Sequence, residues 1–79
     1  MEELVRYIVT NLVKKPDEVE ITTTSESEKV ALITVKVAKD DIGKVIGRNG
    51  KIAVALRAIV KSASEDSGKR YKLKIGERD

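Results

Sequence analysis

Between two helical patterns the sequence reads Gly43-Lys44-Val45-Ile46-Gly47-Arg48-Asn49-Gly50-Lys51, with three glycines and three basic residues. Glycine is costly inside a helix, so three in this stretch need a reason. The loop from Gly47 to Gly50 lets the chain turn sharply, and its two missing Cβ groups let a ligand backbone approach the main chain. Asn49 also tolerates a left-handed conformation. The stretch predicts a tight loop between two helices.

The same stretch has the chemistry of an anion site. Free amide groups at the start of the second helix favour an anion, and Lys44, Arg48 and Lys51 add positive charge around them. A P-loop is excluded, because it needs glycine where Val45 stands and Ser or Thr where Ile52 stands. The dinucleotide fingerprint is excluded too, because it needs a close Gly-x-Gly pair after a strand. We therefore expect a phosphate site of another kind.

The residues before the loop predict one helix and one hairpin. Apolar residues recur at three- and four-residue spacings from 2 to 14, which indicates an amphipathic helix with Lys14 and Lys15 in its last turn. Alternation over residues 19 to 24 and 30 to 38 predicts two strands, paired antiparallel across a polar turn. Asp40 or Asp41 is then expected to cap a short helix.

The short helix and the residues after the loop complete the pattern. The short helix is expected to direct Ile42, Val45 and Ile46 toward the core. The long helix, from about residue 50 to 64, has an apolar stripe made of Ile52, Ala55, Leu56, Ile59, Val60 and Ala63. The last strand alternates inward and outward side chains, namely Tyr71, Leu73 and Ile75 against Arg70, Lys72 and Lys74. The tail after about residue 76 is expected to fray.

The element order predicts an α+β fold in two layers. It runs helix, strand, strand, short helix, loop, long helix, strand, and a three-stranded sheet with one apolar face covered by three helices satisfies it. The 79 residues suit a single domain, 1–79. A domain this small without a disulfide has little stability to spare, so we expect either good core packing or help from a partner surface, as in a dimer.

The composition excludes most enzyme classes. The chain has no Cys and no His, which removes disulfides, thiolate chemistry, Cys/His zinc sites and imidazole catalysis. We expect no catalytic residue, no metal and no cofactor, and no small-molecule substrate. No apolar run approaches a membrane span and the first residues lack the basic region of a signal peptide, so we expect a cytoplasmic protein without a membrane partner.

The charge distribution favours a polyanionic partner. The net charge is +3, yet residues 1 to 28 carry seven acidic and three basic residues, so the remaining two-thirds holds +7. A basic surface of this kind fits nucleic acid, although a solvated Lys/Glu surface has a similar composition. With only two Tyr and no Phe or Trp, base stacking on aromatic rings is not expected.

The loop resembles the signature of KH domains. Val45-Ile46-Gly47-Arg48-Asn49-Gly50, an apolar pair followed by G-x-x-G between two helices, is similar to the motif with which KH domains clamp about four single-stranded nucleotides. The order of the predicted elements resembles the bacterial type II KH topology. More narrowly, the chain looks like the KhpA family of small single-KH RNA-binding proteins at three places: residues 1–5, 15–19 and 52–57.

The resemblance implies a role for each loop residue. Gly47 and Gly50 are expected to admit the sugar-phosphate backbone, Arg48 and Asn49 to contact phosphates, and Lys44 and Lys51 to flank them. Three further candidates for RNA contact are Ile46 as part of the groove floor, Gly43 and Arg57. The chain departs from many KH domains at Ala53, where they carry a large aliphatic residue. Tyr7 and Tyr71 are expected at the core edge.

The implied function is non-catalytic binding of single-stranded RNA in post-transcriptional regulation, as an RNA chaperone. The family works as homodimers or as heterodimers with a second KH protein, KhpB (also called Jag), in regulation that affects the cell envelope and division. The alternative is a protein-interaction module whose main role is dimerisation and in which RNA binding is secondary. For the loop itself, the alternative is a plain turn between helices.

Overall fold

The computed structural model describes residues 1–78, which form three α-helices and three β-strands. In chain order these are α1 (Glu2–Leu12), β1 (Glu20–Ser25), β2 (Val30–Val37), α2 (Ile42–Ile46), α3 (Lys51–Ser64) and β3 (Arg70–Glu77). This is the predicted order. Within these residues no helix is both long and apolar enough to cross a membrane.

The sheet is mixed, with β2 in the centre. β1 pairs antiparallel with β2, as the hairpin prediction required, and places Ile21 opposite Val35. β3 pairs parallel with β2 on the other side and places Leu73 opposite Ile33. Parallel neighbours need a crossover connection, and α2 with α3 supply it. β3 is therefore an edge strand with one side free of a partner strand.

The core lies between one face of the sheet and the helices. α1 contacts β1, α3 contacts β3, and the short α2 contacts both other helices. The apolar alternation of β2 and β3 points inward, as predicted, whereas in β1 only Ile21 is buried and Thr23 is exposed. One stripe of each long helix also points inward. The buried cluster contains Val5, Val9, Val19, Ile21, Ile33, Val35, Val37, Val45, Leu56, Val60 and Leu73.

The end of α1 differs from the prediction. The helix ends at Leu12, and Val13 is already extended, so Lys14 and Lys15 follow the last turn instead of lying in it. The reason is a buried carboxylate: the backbone N–H groups of Lys14 and Lys15 donate to Oδ1 and Oδ2 of Asp41, at 3.1 and 3.0 Å. Neither Asp41 nor Asp40 caps α2 through its side chain, so the capping prediction was wrong.

The apolar stripe of α3 is wider than the core that it covers. Its buried residues are Ala53, Leu56, Val60 and Ser64. Of the predicted stripe, Ala55, Ile59 and Ala63 are exposed and Ile52 is only half-buried. The five-residue α2 is too short to cover this side of a fourteen-residue helix. Of the six residues in the predicted stripe, two are buried, one is half-buried and three are exposed, so the prediction was wrong for those three.

Two smaller predictions also differ from the structure. Tyr7 is 70% exposed on the outer side of α1, whereas Tyr71 packs against the core edge as predicted. β3 continues to Glu77, and the N–H of Arg78 donates to the carbonyl of Val37 at 2.8 Å. The last strand is thus longer than expected, and the rest of the predicted tail, residue 79, lies outside the described residues.

Candidate nucleic-acid interface

Three of the four residues of the 47–50 loop have a positive φ. Gly47 has φ 77° and ψ 171°, and its N–H closes α2 by donating to the carbonyl of Gly43 at 2.9 Å. Asn49 lies at φ 57°, ψ 25° and Gly50 at φ 75°, ψ 11°, both in the left-handed region. The N–H of Gly50 donates to the carbonyl of Gly47 at 3.1 Å, and α3 begins at the next residue. The tight loop predicted from the sequence is present.

The two loop glycines are required for different reasons. A Cβ on Gly47 would lie 2.6 Å from Cγ1 of Ile52 and 2.9 Å from its backbone nitrogen, so the first turn of α3 packs directly on this glycine. A Cβ on Gly50 would meet nothing within 4 Å. Gly50 is therefore glycine because of its backbone angle, and the space beside it is open to a ligand.

The charge around the loop is positive and uncompensated. Arg48 and Lys51 are exposed and Lys44 is half-buried, and no acidic residue occurs between positions 42 and 64. Among residues 1–78, the ion pairs join Lys15 to Asp40, Lys72 to Glu26 and Arg78 to Glu20, so none involves these three cations. No side chain of the described chain caps the start of α3. The first N–H of α3, that of Lys51, donates to the carbonyl of Arg48, and the positive end of the α3 dipole lies at this point.

A groove of about 690 Å³ lies between α3 and β3. Its lining residues are Arg57, Val60, Lys61 and Ser64 from α3, with Arg70, Tyr71, Lys72 and Leu73 from β3. Cations therefore line both sides, and Val60 and Leu73 are the most buried of the apolar residues between them. The structure places Arg57 in this groove, about 10 Å along α3 from the loop at 1.5 Å per residue.

The free edge of β3 faces the same groove. The N–H of Arg70 donates to the carbonyl of Lys29 at 2.7 Å and that of Arg78 to the carbonyl of Val37 at 2.8 Å. Even-numbered residues of β3 thus direct their main-chain groups toward β2. By alternation, the N–H and C=O groups of Tyr71, Leu73 and Ile75 point to the unpaired side. They offer a row of hydrogen-bonding groups.

Exposed aliphatic side chains continue from the groove toward the loop. Ile46, at the end of α2, is 38% exposed, so the expectation that it points into the core was wrong; Val45 is buried and Ile42 half-buried. Val54 is 63% exposed and lies one turn before Arg57 on the same side of α3. Ala53, where the chain departs from many KH domains, is buried and so adds nothing to this surface.

The structure brings most of the predicted site residues together and adds others. Five of them follow one another along the chain, namely Gly47, Arg48, Asn49, Gly50 and Lys51. Lys44 and Ile46 lie just before them, in the last turn of α2. Gly43 lies one helical turn before Gly47, and a Cβ there would meet nothing within 4 Å. Lys72 was weighed as a solvated residue or one on the RNA path, but sequence reasoning missed Val54, Lys61 and the free main-chain edge of β3, because only the placement of β3 beside α3 shows that they meet. The spacing of Arg57 and Lys61, one turn apart, was the available signal.

No metal site is evident in the described residues. Within 1–78 no group of three or more acidic side chains is placed to hold a metal ion. The arrangement instead offers main-chain amides, cations and aliphatic surface along one line, from the loop to the groove. Such a line is suited to a flexible polyanion with apolar side groups.

Comparison with known proteins agrees with this geometry. Residues 2–75 match the family model described as KhpA/KhpB, KH domain. The protein named RNA-binding protein KhpA from Treponema pallidum is 43% identical over 74 residues, which cover 94% of this chain and 91% of that protein. Its namesake from Oceanobacillus iheyensis is 44% identical over 75 residues, covering 95% and 99%. The namesake from Bacillus subtilis is 39% identical over 75 residues, covering 95% and 91%. The chain therefore belongs to the KhpA/KhpB family and has the type II KH fold.

Proposed function

We propose that this protein is a non-catalytic single-stranded RNA-binding protein that holds the RNA backbone at the 47–50 loop. The observation that carries the proposal is the combination of an open glycine loop with cations that no carboxylate of the described chain neutralises. The relatives' shared name, RNA-binding protein, supports RNA as the polyanion.

The loop would hold phosphates by close approach of the backbone. Gly50 leaves open space beside the main chain, so a phosphate would come close to the start of α3, where the helix dipole favours an anion. Arg48 and Lys51 are exposed on either side of that point, and their charges add to the attraction. These contacts recognise the backbone and carry no sequence information.

The groove would accept the bases. Ile46 and Val54 supply aliphatic contact near the loop, and the unpaired main-chain groups of β3 supply hydrogen bonds to base edges. The one aromatic ring in the groove, that of Tyr71, is half-buried against the core, so stacking contributes little. We therefore expect weak binding and low base specificity from a single domain.

A second KH domain is the proposed protein partner. The side of the α3 stripe that the core does not cover, which consists of half-buried Ile52 with exposed Ala55, Ile59 and Ala63, gives a second helix an apolar seam at three- and four-residue spacing. The partner is another copy of this chain or a KhpB (Jag)-like protein. Two linked grooves would offset the weak affinity of one, if both engage the same RNA. We place this activity in the cytoplasm, in post-transcriptional regulation.

The test is fluorescence anisotropy with a short labelled single-stranded RNA. The Arg48→Asp, Asn49→Asp variant should lose binding at least about tenfold, because it reverses charge where phosphates approach. It should still fold, since Asp tolerates the left-handed angles of position 49. A matched control is Arg6→Asp, Asn11→Asp, which makes the same two exchanges on the exposed side of α1.

The comparison of the two variants decides between the candidate functions. Loss of binding in the loop variant alone, with circular dichroism unchanged in both, supports the loop as the RNA site. If the loop variant binds the RNA with the affinity of the native protein, the loop is not the RNA site. In that case the exposed α3 stripe favours the second candidate, a dimerisation module in which RNA binding is secondary.

A further inference from the structure

The outer face of the sheet, which none of the described helices covers, carries its own row of cations. Arg70, Lys72 and Lys74 alternate outward along β3, so successive side chains stand about 6.6 Å apart. The parallel register puts Lys36 of β2 beside Gly76, in the next row of the same face. We call Arg70, Lys72, Lys74 and Lys36 the basic column.

Most of the basic column is free of carboxylates. Within residues 1–78, Arg70, Lys74 and Lys36 form no ion pair, and the acidic partner of Lys72 is Glu26, at 3.1 Å. Both side chains of that pair are partly exposed, and such surface pairs are weak and readily exchanged. Glu20, the register partner of Lys36, is instead 3.8 Å from Arg78.

The basic column is continuous with the groove. Arg70 and Lys72 line the groove and also begin the column, because β3 is the edge strand and long side chains reach around it. Beside the column on β2 lie half-buried Val30, Leu32 and Thr34, the register partners of Arg70, Lys72 and Lys74. A strand leaving the groove at this edge thus meets cations again, with apolar surface next to them.

We propose that the basic column binds the phosphates of the RNA segment that leaves the groove, so that the RNA site continues over the edge of β3 onto the outer sheet face. This inference rests on the proposed function and extends it. The spacing of alternate strand residues is close to that of successive phosphates in an extended single strand, so one cation serves one phosphate. An RNA too short to pass β3 does not reach the part of the column outside the groove, Lys74 and Lys36.

The test compares two RNA lengths on two variants with the same charge change. Lys74 lies outside the groove lining and the loop, and Lys74→Glu should lower the affinity for an RNA of about twelve nucleotides by about threefold to tenfold. Its affinity for a four-nucleotide RNA should not change. The matched control is Arg6→Glu on α1, which packs against β1, the strand at the opposite edge of the sheet. It should leave the affinities for both RNAs within about twofold of the native values.

A second variant and the salt dependence keep the test decisive. Lys36→Glu should act like Lys74→Glu, and for the native protein the log–log dependence of affinity on salt should be steeper for the longer RNA. Native affinity of Lys74→Glu and Lys36→Glu for the longer RNA would overturn the inference. An equal loss in Arg6→Glu would also overturn it, since net charge would then be the cause. In either case, continued binding of the short RNA would leave the assignment of the RNA site to the loop intact. If the native chain binds neither RNA, both the loop assignment and the role of the basic column are refuted.

Discussion

Gly47 is the residue on which the loop and the long helix depend together. Its backbone angle is one that L side chains avoid, and the first turn of α3 occupies the position that a Cβ would take. Gly50, three residues later, shares the positive φ but borders open space. The two glycines of one motif therefore have different physical roles, one in packing and one in access to a ligand.

Alanine substitution should separate these roles. Gly50→Ala should lower the free energy of unfolding by about 1–2 kcal/mol, the cost of a left-handed backbone for an L residue. Gly47→Ala should cost about 3 kcal/mol or more, because a clash with Ile52 and its backbone is added to the same strain. Urea denaturation of both variants measures the difference. Equal losses would show that Ile52 moves away freely.

At this scale the sequence predicted the loop but not its neighbours. Spacing and residue type were sufficient for the turn at 47–50, because glycine and asparagine are local signals. The contact of Gly47 with Ile52 depends on how α3 folds back after the turn, which no local pattern contains. For a similar reason the sequence left Ile46 with two expected places, the core and the groove floor: its spacing from Ile42 matches a buried position, but α2 ends there and the side chain is 38% exposed.

Between elements, Asp41 joins the end of α1 to the start of α2. The side chain is 1% exposed, and its two oxygens accept the N–H groups of Lys14 and Lys15. Because α2 carries Lys44 and Ile46 to the loop, this contact also helps to position the site. Asp40, the adjacent residue, is exposed, and its Oδ2 lies 3.5 Å from Nζ of Lys15.

Asp41→Ala should lower the free energy of unfolding by about 2–3 kcal/mol, since two hydrogen bonds to a buried carboxylate are lost. Asp40→Ala is the matched control and should change it by less than about 0.5 kcal/mol, as exposed ion pairs contribute little. Urea denaturation of the two variants checks this. Similar small effects would mean that water replaces the carboxylate at the end of α1.

The positions of the helices and strands could be predicted from the sequence, but which elements pack against one another could not. Periodicity located α1, α3 and all three strands to within a few residues. It could not tell which half of the α3 stripe is covered, because Leu56 and Ile59 have equal hydrophobic character in the sequence. Only the short length of α2 leaves Ile59 exposed.

In the whole molecule, the parallel placement of β3 creates the groove. It sets the free edge of β3 and its cations opposite Arg57 and Lys61 of α3. The alternation of β3 was visible in the sequence, but its partner strand and direction were not. The excess of basic residues after position 28 indicated a polyanionic partner, and the structure shows that several of these basic side chains line the groove.

The exposed α3 stripe predicts association. The midpoint of thermal unfolding should rise with protein concentration, because a dimer that binds only folded chains stabilises them by mass action. Ile59→Asp should remove this dependence, since a charge in an apolar seam is costly. Tyr7→Asp, at another exposed apolar position, should keep it. If the midpoint of thermal unfolding of the native protein does not change over a dilution of about a hundredfold, the protein is a stable monomer.

The most direct test of the RNA site is an NMR titration of the labelled chain with a short single-stranded RNA, following every backbone amide. We expect the largest shifts at Gly47, Asn49, Gly50 and Lys51, with smaller ones at Tyr71 and Leu73 along the free edge of β3. Amides of α1 and β1 should shift least. If the largest shifts fall on α1 or β1 and the loop amides do not shift, the loop is not the RNA site.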